Sequence, residues 1–394
     1  MTSDPIVIVG MSRTPMGAFQ GDFATIQAPE LGAVAIKGAI DEAKINPKDI
    51  EEVFMGCVLT AGVGQAPARQ ASIGAGLSFS TSCTTINKMC GSGMQAVILS
   101  YNALMAGASS IIIAGGMESM TNAPYILPKM RSGARIGHTE VKDHMFYDGL
   151  EDAYDQGKLM GVFADKTAEK YTFSREAQDE FSILSLSRAN NAINQGYFKR
   201  EISSVTVKSR KGNTVIDTDE QPGKAKLEKI PTLRPAFAKE GTVTAANSSS
   251  ISDGASAVVM MRASEAKKRS LKPIAKIVGH SLHAHEPNWF TTAPVGAIKK
   301  LYKKINWSDK DVDLYEINEA FAVVTMAAMA DLDISHNKVN VHGGACALGH
   351  PIGSSGSRII ITLIAALETY GKKRGIASLC IGGGEATAIA IELM

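Results

Sequence analysis

Short runs of apolar and β-branched residues punctuate the chain and alternate with longer stretches whose apolar positions recur at helical spacing. Ile6-Val-Ile-Val9, Ile111-Ile-Ile-Ala114, Ala257-Val-Val-Met260 and Ala386-Thr-Ala-Ile-Ala-Ile391 carry little or no polarity, as strands covered on both faces do. Between them, Gly93 to Met105 and Gly356 to Leu367 have helical spacing but too little charge for a surface helix, so both are predicted to be buried. This alternation predicts an α/β fold with helices sandwiched inside the core.

The pattern occurs twice. Pro5-Ile-Val-Ile-Val-Gly10 is echoed by Pro273-Ile-Ala-Lys-Ile-Val-Gly279, and Pro47-Lys-Asp-Ile-Glu-Glu-Val53 by Ser308-Asp-Lys-Asp-Val-Asp-Leu314. Gly91-Ser-Gly93, a buried helix and a strand ending at Gly115-Gly116 match Ser354 to Gly356, a buried helix and a strand ending at Gly382-Gly-Gly384. The more charged stretch from about Thr121 to Ser252 has no counterpart and reads as an insertion shaping a binding site or an interface. The expected units are residues 1–121 with 253–273, an inserted loop domain over 122–252, and 274–394.

Composition narrows the function. The 394 residues include 41 Lys and Arg against 39 Asp and Glu, and a net charge of +2 supplies no field for nucleic acid or an anionic membrane. No apolar run reaches the roughly 18 residues of a membrane span, and the opening Met1 to Gly10 does not resemble a signal peptide, so a cytoplasmic protein is expected. Five irregularly spaced cysteines argue against a disulfide framework and leave individual thiols available for chemistry.

Cys90, in Asn87-Lys-Met-Cys-Gly-Ser-Gly93, directly precedes a helical pattern, where unpaired N–H groups and the helix dipole should lower its pKa. His350 lies in Gly343-Gly-Ala-Cys-Ala-Leu-Gly-His-Pro-Ile-Gly353, the related loop of the second half, and an imidazole there is suited to take a thiol proton. Cys380 ends a strand ahead of Gly382-Gly-Gly384, whose backbone N–H groups suit an oxyanion. Asn318, at a strand-to-helix junction in Glu316-Ile-Asn-Glu-Ala-Phe-Ala322, reads locally as a helix cap. Cys57, Cys83 and Cys346 are expected to pack, and His280, His283 and His285 to sit in an exposed loop without metal. Neither the Gly-x-Gly-x-x-Gly nor the P-loop pattern is in place for a nucleotide.

Together Asn87 to Gly93, Gly115-Gly-Met-Glu-Ser119, Asn318-Glu-Ala-Phe-Ala322, Gly343 to Gly353 and Cys380-Ile-Gly-Gly-Gly384 resemble the motif set of the thiolases, in the family's order over nearly the whole chain. In particular these blocks resemble those of the acetyl-CoA acetyltransferases. The resemblance implies the thiolase fold, a duplicated five-layer αβαβα arrangement with an inserted loop domain. It implies that Cys90 is acylated, that His350 activates it, and that Cys380 moves the proton in carbon–carbon bond formation. It assigns one oxyanion hole to the N–H groups of Cys90 and Gly382, and another to His350 with a water held by Asn318. Ser249, Phe237 and Met160 match positions that line the coenzyme A and acyl pocket. The implied reaction joins two acetyl-CoA into acetoacetyl-CoA and CoA without cofactor or metal, in a homotetramer built as a dimer of dimers. The alternatives are a 3-ketoacyl-CoA thiolase for longer chains and a non-catalytic acyl-CoA or lipid carrier. Leu159-Met-Gly161 departs from the family's frequent His-Met-Gly, and Gln221 to Lys224 lacks the arginine that commonly meets adenine.

Overall fold

The computed structural model describes residues 4–210 and 212–394. The first half contributes β1 (Ile6–Arg13), β2 (Glu52–Gly56), β3 (Ser82–Ile86), β4 (Ile111–Ser119) and β5 (Ser252–Arg262), in the spatial order β3-β2-β4-β5-β1. The second contributes β6 (Ala275–Ala284), β7 (Leu314–Ile317), β8 (Arg374–Ile381) and β9 (Glu385–Leu393), in the order β7-β8-β9-β6. That is the first order without β3, whose place is marked by a single parallel bridge from Tyr315 to Val339. The halves join where β1 pairs antiparallel with β6, Val7 opposite Lys276 and Ile8 opposite Ala275.

The duplication extends to irregularities. β1 carries a bulge between Ile8 and Gly10 and β6 one between Ile277 and Gly279. Both echoed acidic segments form 3₁₀ turns, Pro47–Asp49 and Asp309–Asp311. Such features belong to the backbone, so their recurrence reflects a copied fold rather than a shared composition.

Among the described residues, eight helices of eight residues or more, α1 (Ala28–Ala43), α2 (Pro67–Gly74), α3 (Ser92–Ala106), α4 (Met160–Tyr171), α5 (Arg175–Gln195), α6 (Ala293–Ile305), α7 (Ala322–Leu332) and α8 (Ser355–Thr369), complete the frame. Three apolar cores show the layering. One packs Leu31, Ile36 and Ala71 of α1 and α2 on Val53, Ile113 and Val259. The central one holds Val97 of α3 and Ile360 and Leu363 of α8 between Ile112 and Val258 on one side and Leu379 and Ile389 on the other. The third sets Ile298 and Ala328 of α6 and α7 against Ile376 and Ala388. Alternate residues of β4 and β8 thus face opposite cores, and both sides of these two strands are covered, which is why their sequences read as nearly unbroken apolar runs.

Two glycines set how closely the central helices cross. A β-carbon on Gly93 would lie 2.8 Å from the Ser357 nitrogen, and one on Gly356 only 2.3 Å from the Met94 nitrogen. The N-terminal ends of α3 and α8 therefore touch backbone to backbone, and the loops before them, carrying Cys90 and His350, converge.

The stretch between β4 and β5 carries α4 and α5 and returns to the frame through buried ions. Arg13 on β1 meets Glu201 and Asp219, each at 2.6 Å and fully buried. One expectation fails here: His280 and His283 lie on β6 rather than in an exposed loop. Burial there lowers the His280 pKa to about 4, and His285 is held by a 2.8 Å bond to the Trp289 carbonyl.

Candidate active site

The chain leaves β3 and turns sharply before α3. Met89 is forced into the left-handed region at φ 46°, a strained conformation for a residue with a side chain. Asn87 accepts the Met89 N–H at 3.0 Å, while Ser92 accepts the Lys88 N–H at 2.8 Å and donates to the Met89 carbonyl at 2.6 Å. A β-carbon on Gly91 would lie 2.4 Å from the end of the Ile381 side chain, which a larger residue would have to displace. The elbow directs Cys90 toward the second half, where the N–H groups of Gly382 and of Cys90 itself point at the sulfur.

The thiol is nevertheless not acidic. Burial pushes the Cys90 pKa up to about 11, past the lowering by those two N–H groups, and the charge of Glu118 adds to the rise. The expectation of a lowered pKa is corrected: helix-end stabilisation is real but smaller than the loss of water around a thiolate.

His350 follows Gly349, whose φ of 100° only glycine tolerates well. Its Nδ1 lies 2.5 Å from the Ser355 hydroxyl, which also donates to the Pro351 carbonyl at 3.1 Å. With the hydroxyl proton spent on that carbonyl, the serine oxygen accepts from Nδ1–H, and Nε2 keeps its lone pair. Asn318 supports the same tautomer: its amide nitrogen stands 3.5 Å from Nε2, and its oxygen receives Arg358 at 3.5 Å. Burial, with the nearby Arg358 charge, lowers the His350 pKa to about 3, so the imidazole is neutral. Asn318 does not cap α7, whose N-cap is Phe321; the local reading missed that its amide is turned toward the histidine.

Cys90, His350, Gly382, Met160, Phe237 and Ser249 line one cavity of about 580 Å³. Cys380 and Asn318, each 1% exposed, lie behind its wall. Cys380 packs among Phe163, Phe290 and Phe321, and burial first, then the neighbouring Cys90, raises its pKa well above the usual thiol range. Ser249 donates to the Ala320 carbonyl at 3.0 Å. Phe237 stands edge-on to Phe321 at 5.9 Å and covers Gly161, where a β-carbon would lie 2.2 Å from its ring. Phe146, Tyr147 and Tyr154, from the stretch between β4 and β5, also line it. Sequence reasoning did not single these out, nor Ser355, Arg358 or Glu118. Ser355 offered a signal in retrospect, since a hydroxyl five residues after His350 at a helix start is well placed to reach an imidazole.

Among the described residues, no three His, Cys, Asp or Glu side chains gather as a metal site, and no helix is long and apolar enough to cross a membrane. Cys57 is buried beside Glu118 at 3.7 Å and Cys346 beside Glu319. A thiol, a neutral imidazole, a second buried thiol and converging backbone N–H groups over an apolar cavity define a centre suited to acyl transfer through sulfur.

The chain belongs to the thiolase family. Residues 6–264 match the thiolase N-terminal domain and residues 271–393 the thiolase C-terminal domain. It is 48% identical over 394 residues to the acetyl-CoA acetyltransferase of Schizosaccharomyces pombe, covering 100% of both chains. It is 46% identical over 393 residues to the cytosolic acetyl-CoA acetyltransferase of Mus musculus, covering 99% of this chain and 98% of that one. The Acat5 thiolase from Ascaris suum, solved in complex with coenzyme A, superposes with a TM-score of 0.94 at 40% identity, covering 99% of this chain and 100% of that one. The Bacillus anthracis acetyl-CoA acetyltransferase gives 0.96 at 38%, covering 99% of each.

Proposed function

We propose that this protein is an acetyl-CoA C-acetyltransferase that reversibly joins two acetyl-CoA into acetoacetyl-CoA and CoA through an acetyl-Cys90 intermediate. The observation carrying the reading is the meeting of Cys90, Gly382 and His350 at one cavity. Relatives bearing the acetyl-CoA acetyltransferase name over their full length support it.

The resting groups are neutral, which shapes the mechanism. His350 Nε2 takes the Cys90 proton as sulfur attacks the thioester carbonyl, and the N–H groups of Cys90 and Gly382 hold the developing oxyanion. The carbon–sulfur bond to CoA breaks, and Cys380 protonates the leaving thiolate. The site then holds acetyl-Cys90, a Cys380 thiolate and an imidazolium. A second acetyl-CoA gives an α-proton to Cys380, and its enolate oxygen is stabilised by His350 with a water held by Asn318. The enolate carbon attacks the acetyl carbonyl; Cys90 leaves and recovers its proton from His350. Every group returns to its starting state, so no cofactor is required.

The insertion, taken as residues 122–252, supplies Met160, Phe237 and Ser249 to the acyl and coenzyme A pocket. Leu159 makes the cavity wall more apolar at the position where a histidine is frequent in the family. Assembly as a tetramer is proposed from two exposed features: the free edge of β3, and an insertion loop that presents Tyr125, Leu127 and Ile136 to solvent. A cytosolic location is proposed from the mouse and rat relatives named as cytosolic. The test is thiolysis of acetoacetyl-CoA compared with a long-chain 3-ketoacyl-CoA. Faster turnover of the short substrate is expected; preference for the long one would replace this reading with a degradative thiolase.

A further inference from the structure

Each half carries a glutamate just after a pair of glycines, Gly115-Gly-Met-Glu118 within β4 and Gly382-Gly-Gly-Glu385 in the turn from β8 into β9. Both glutamates reach into the opposite half. Glu118, fully buried on β4, accepts the N–H of Gly353 at 2.9 Å, three residues beyond His350. It also accepts Val58 at 3.0 Å and Leu59 at 3.1 Å from its own half, with the Cys57 thiol at 3.7 Å. The approach beneath it is tight, since a β-carbon on Gly116 would lie 2.0 Å from the Gly353 carbonyl oxygen. Glu385, opening β9, forms an ion pair with Lys88, two residues before Cys90.

We propose that Glu118 and Glu385 are positioning residues, each extending from its own half to fasten the loop that carries the reactive side chain of the other. Glu118 fixes the His350 loop and Glu385 the Cys90 loop. The two fastenings together set how sulfur and imidazole face each other. Their chemistry differs because their surroundings do. Glu118 meets backbone donors in a dry interior, where burial pushes its pKa up to about 7; a buried acid is retained there because three converging N–H groups need one acceptor. Lys88 and Glu385 are partly exposed, at 22% and 38%, so theirs is a screened and weaker hold. The proposal rests on the acyl-transfer reading of the same site.

The test uses the full-length protein, with folding checked by circular dichroism and thermal unfolding. In Glu118→Gln the amide NH₂ faces backbone donors it cannot accept from. Thiolysis kcat should fall about tenfold or more with KM within about twofold, because placement is lost and pocket contacts are not. Lys88→Glu and Glu385→Lys should each slow kcat by about threefold, and the doubly substituted protein should recover most of that loss. A folded Glu118→Gln protein with unchanged kcat, or a charge swap no better than either single variant, would overturn the proposal. If Glu118→Gln does not fold, the swap alone decides. Iodoacetamide trapping of Cys90 at fixed pH reads the second fastening without turnover: the rate should change in both single variants and return in the swap. An inactive wild-type protein would refute the proposed function, whereas an alkylation rate left unrestored by the swap would refute the fastening.

Discussion

Replacing Ser355 by alanine removes a single hydroxyl from beneath His350 and should cripple the site without touching its pocket. In the native protein that oxygen lies 2.5 Å from Nδ1 and 3.1 Å from the Pro351 carbonyl, and both partners are buried. Without it the Nδ1–H has no acceptor at that position, and the tautomer bearing hydrogen on Nε2 becomes competitive. That tautomer presents a donor, not a base, to the Cys90 thiol. A buried hydrogen bond lost in this way costs about 1–3 kcal/mol, equivalent to a shift of the tautomer ratio by about five- to 150-fold away from the base-competent form. The expected result is a kcat lowered by up to that factor with KM for acetoacetyl-CoA nearly unchanged, since Ser249, Phe237 and Met160 are untouched. Steady-state thiolysis measures it, and two-dimensional NMR of ¹⁵N-labelled histidine reports the tautomer directly. A folded Ser355→Ala protein with wild-type kcat and Nδ1 still protonated would show that Ser355 does not set the tautomer.

Other consequences follow from the same geometry. Cys380→Ser should slow both half-reactions, since Cys380 gives a proton to CoA in one and takes the α-proton in the other, with acetoacetyl-CoA formation down by about 10² or more; undiminished condensation would contradict the proton-transfer role. Gly356→Ala places a β-carbon 2.3 Å from the Met94 nitrogen, and separating the crossed helices should destabilise the fold by about 1–3 kcal/mol, measured by chemical denaturation; an unchanged midpoint would mean the crossing yields freely. His342, 1% exposed and held neutral by burial with a pKa lowered to about 4, resists protonation in the fold while the unfolded chain accepts it near pH 6.5. Its contribution to stability is therefore intact above that pH and is lost as pH falls from about 6.5 toward 4, so His342→Gln should flatten the thermal midpoint across that window; an equal slope would assign the acid sensitivity elsewhere.

Much of this architecture was legible in the chain because duplication writes itself into sequence. The echo of Pro5 to Gly10 in Pro273 to Gly279 survives as matching bulged strands, and the low charge of Gly93 to Met105 correctly signals a helix enclosed between sheets. The candidate residues were legible as types beside glycines and as a familiar motif set. Their electrostatics were not. A helix start suggests an acidic thiol for Cys90, but the burial that reverses this comes from the central core and from the cluster of Met120 and Ile352, which only the folded halves bring together. Asn318 looks like a cap until α7 is seen to begin at Ala322. Likewise Glu118 is merely a charge in an apolar strand until Gly353, distant in sequence, arrives as its donor. Long-range partners of this kind leave no periodicity to read.

Turnover depends most directly on the Cys90 sulfur carrying acetyl between substrates. Incubation with acetyl-CoA, rapid acid quench and peptide mass spectrometry, run alongside His350→Ala, measures this without assuming a product. Acetyl on the Cys90 peptide, discharged by added CoA and sharply diminished in the histidine variant, is the predicted result. An unmodified Cys90 in a protein that still makes acetoacetyl-CoA, or label residing on Cys380 instead, would contradict it.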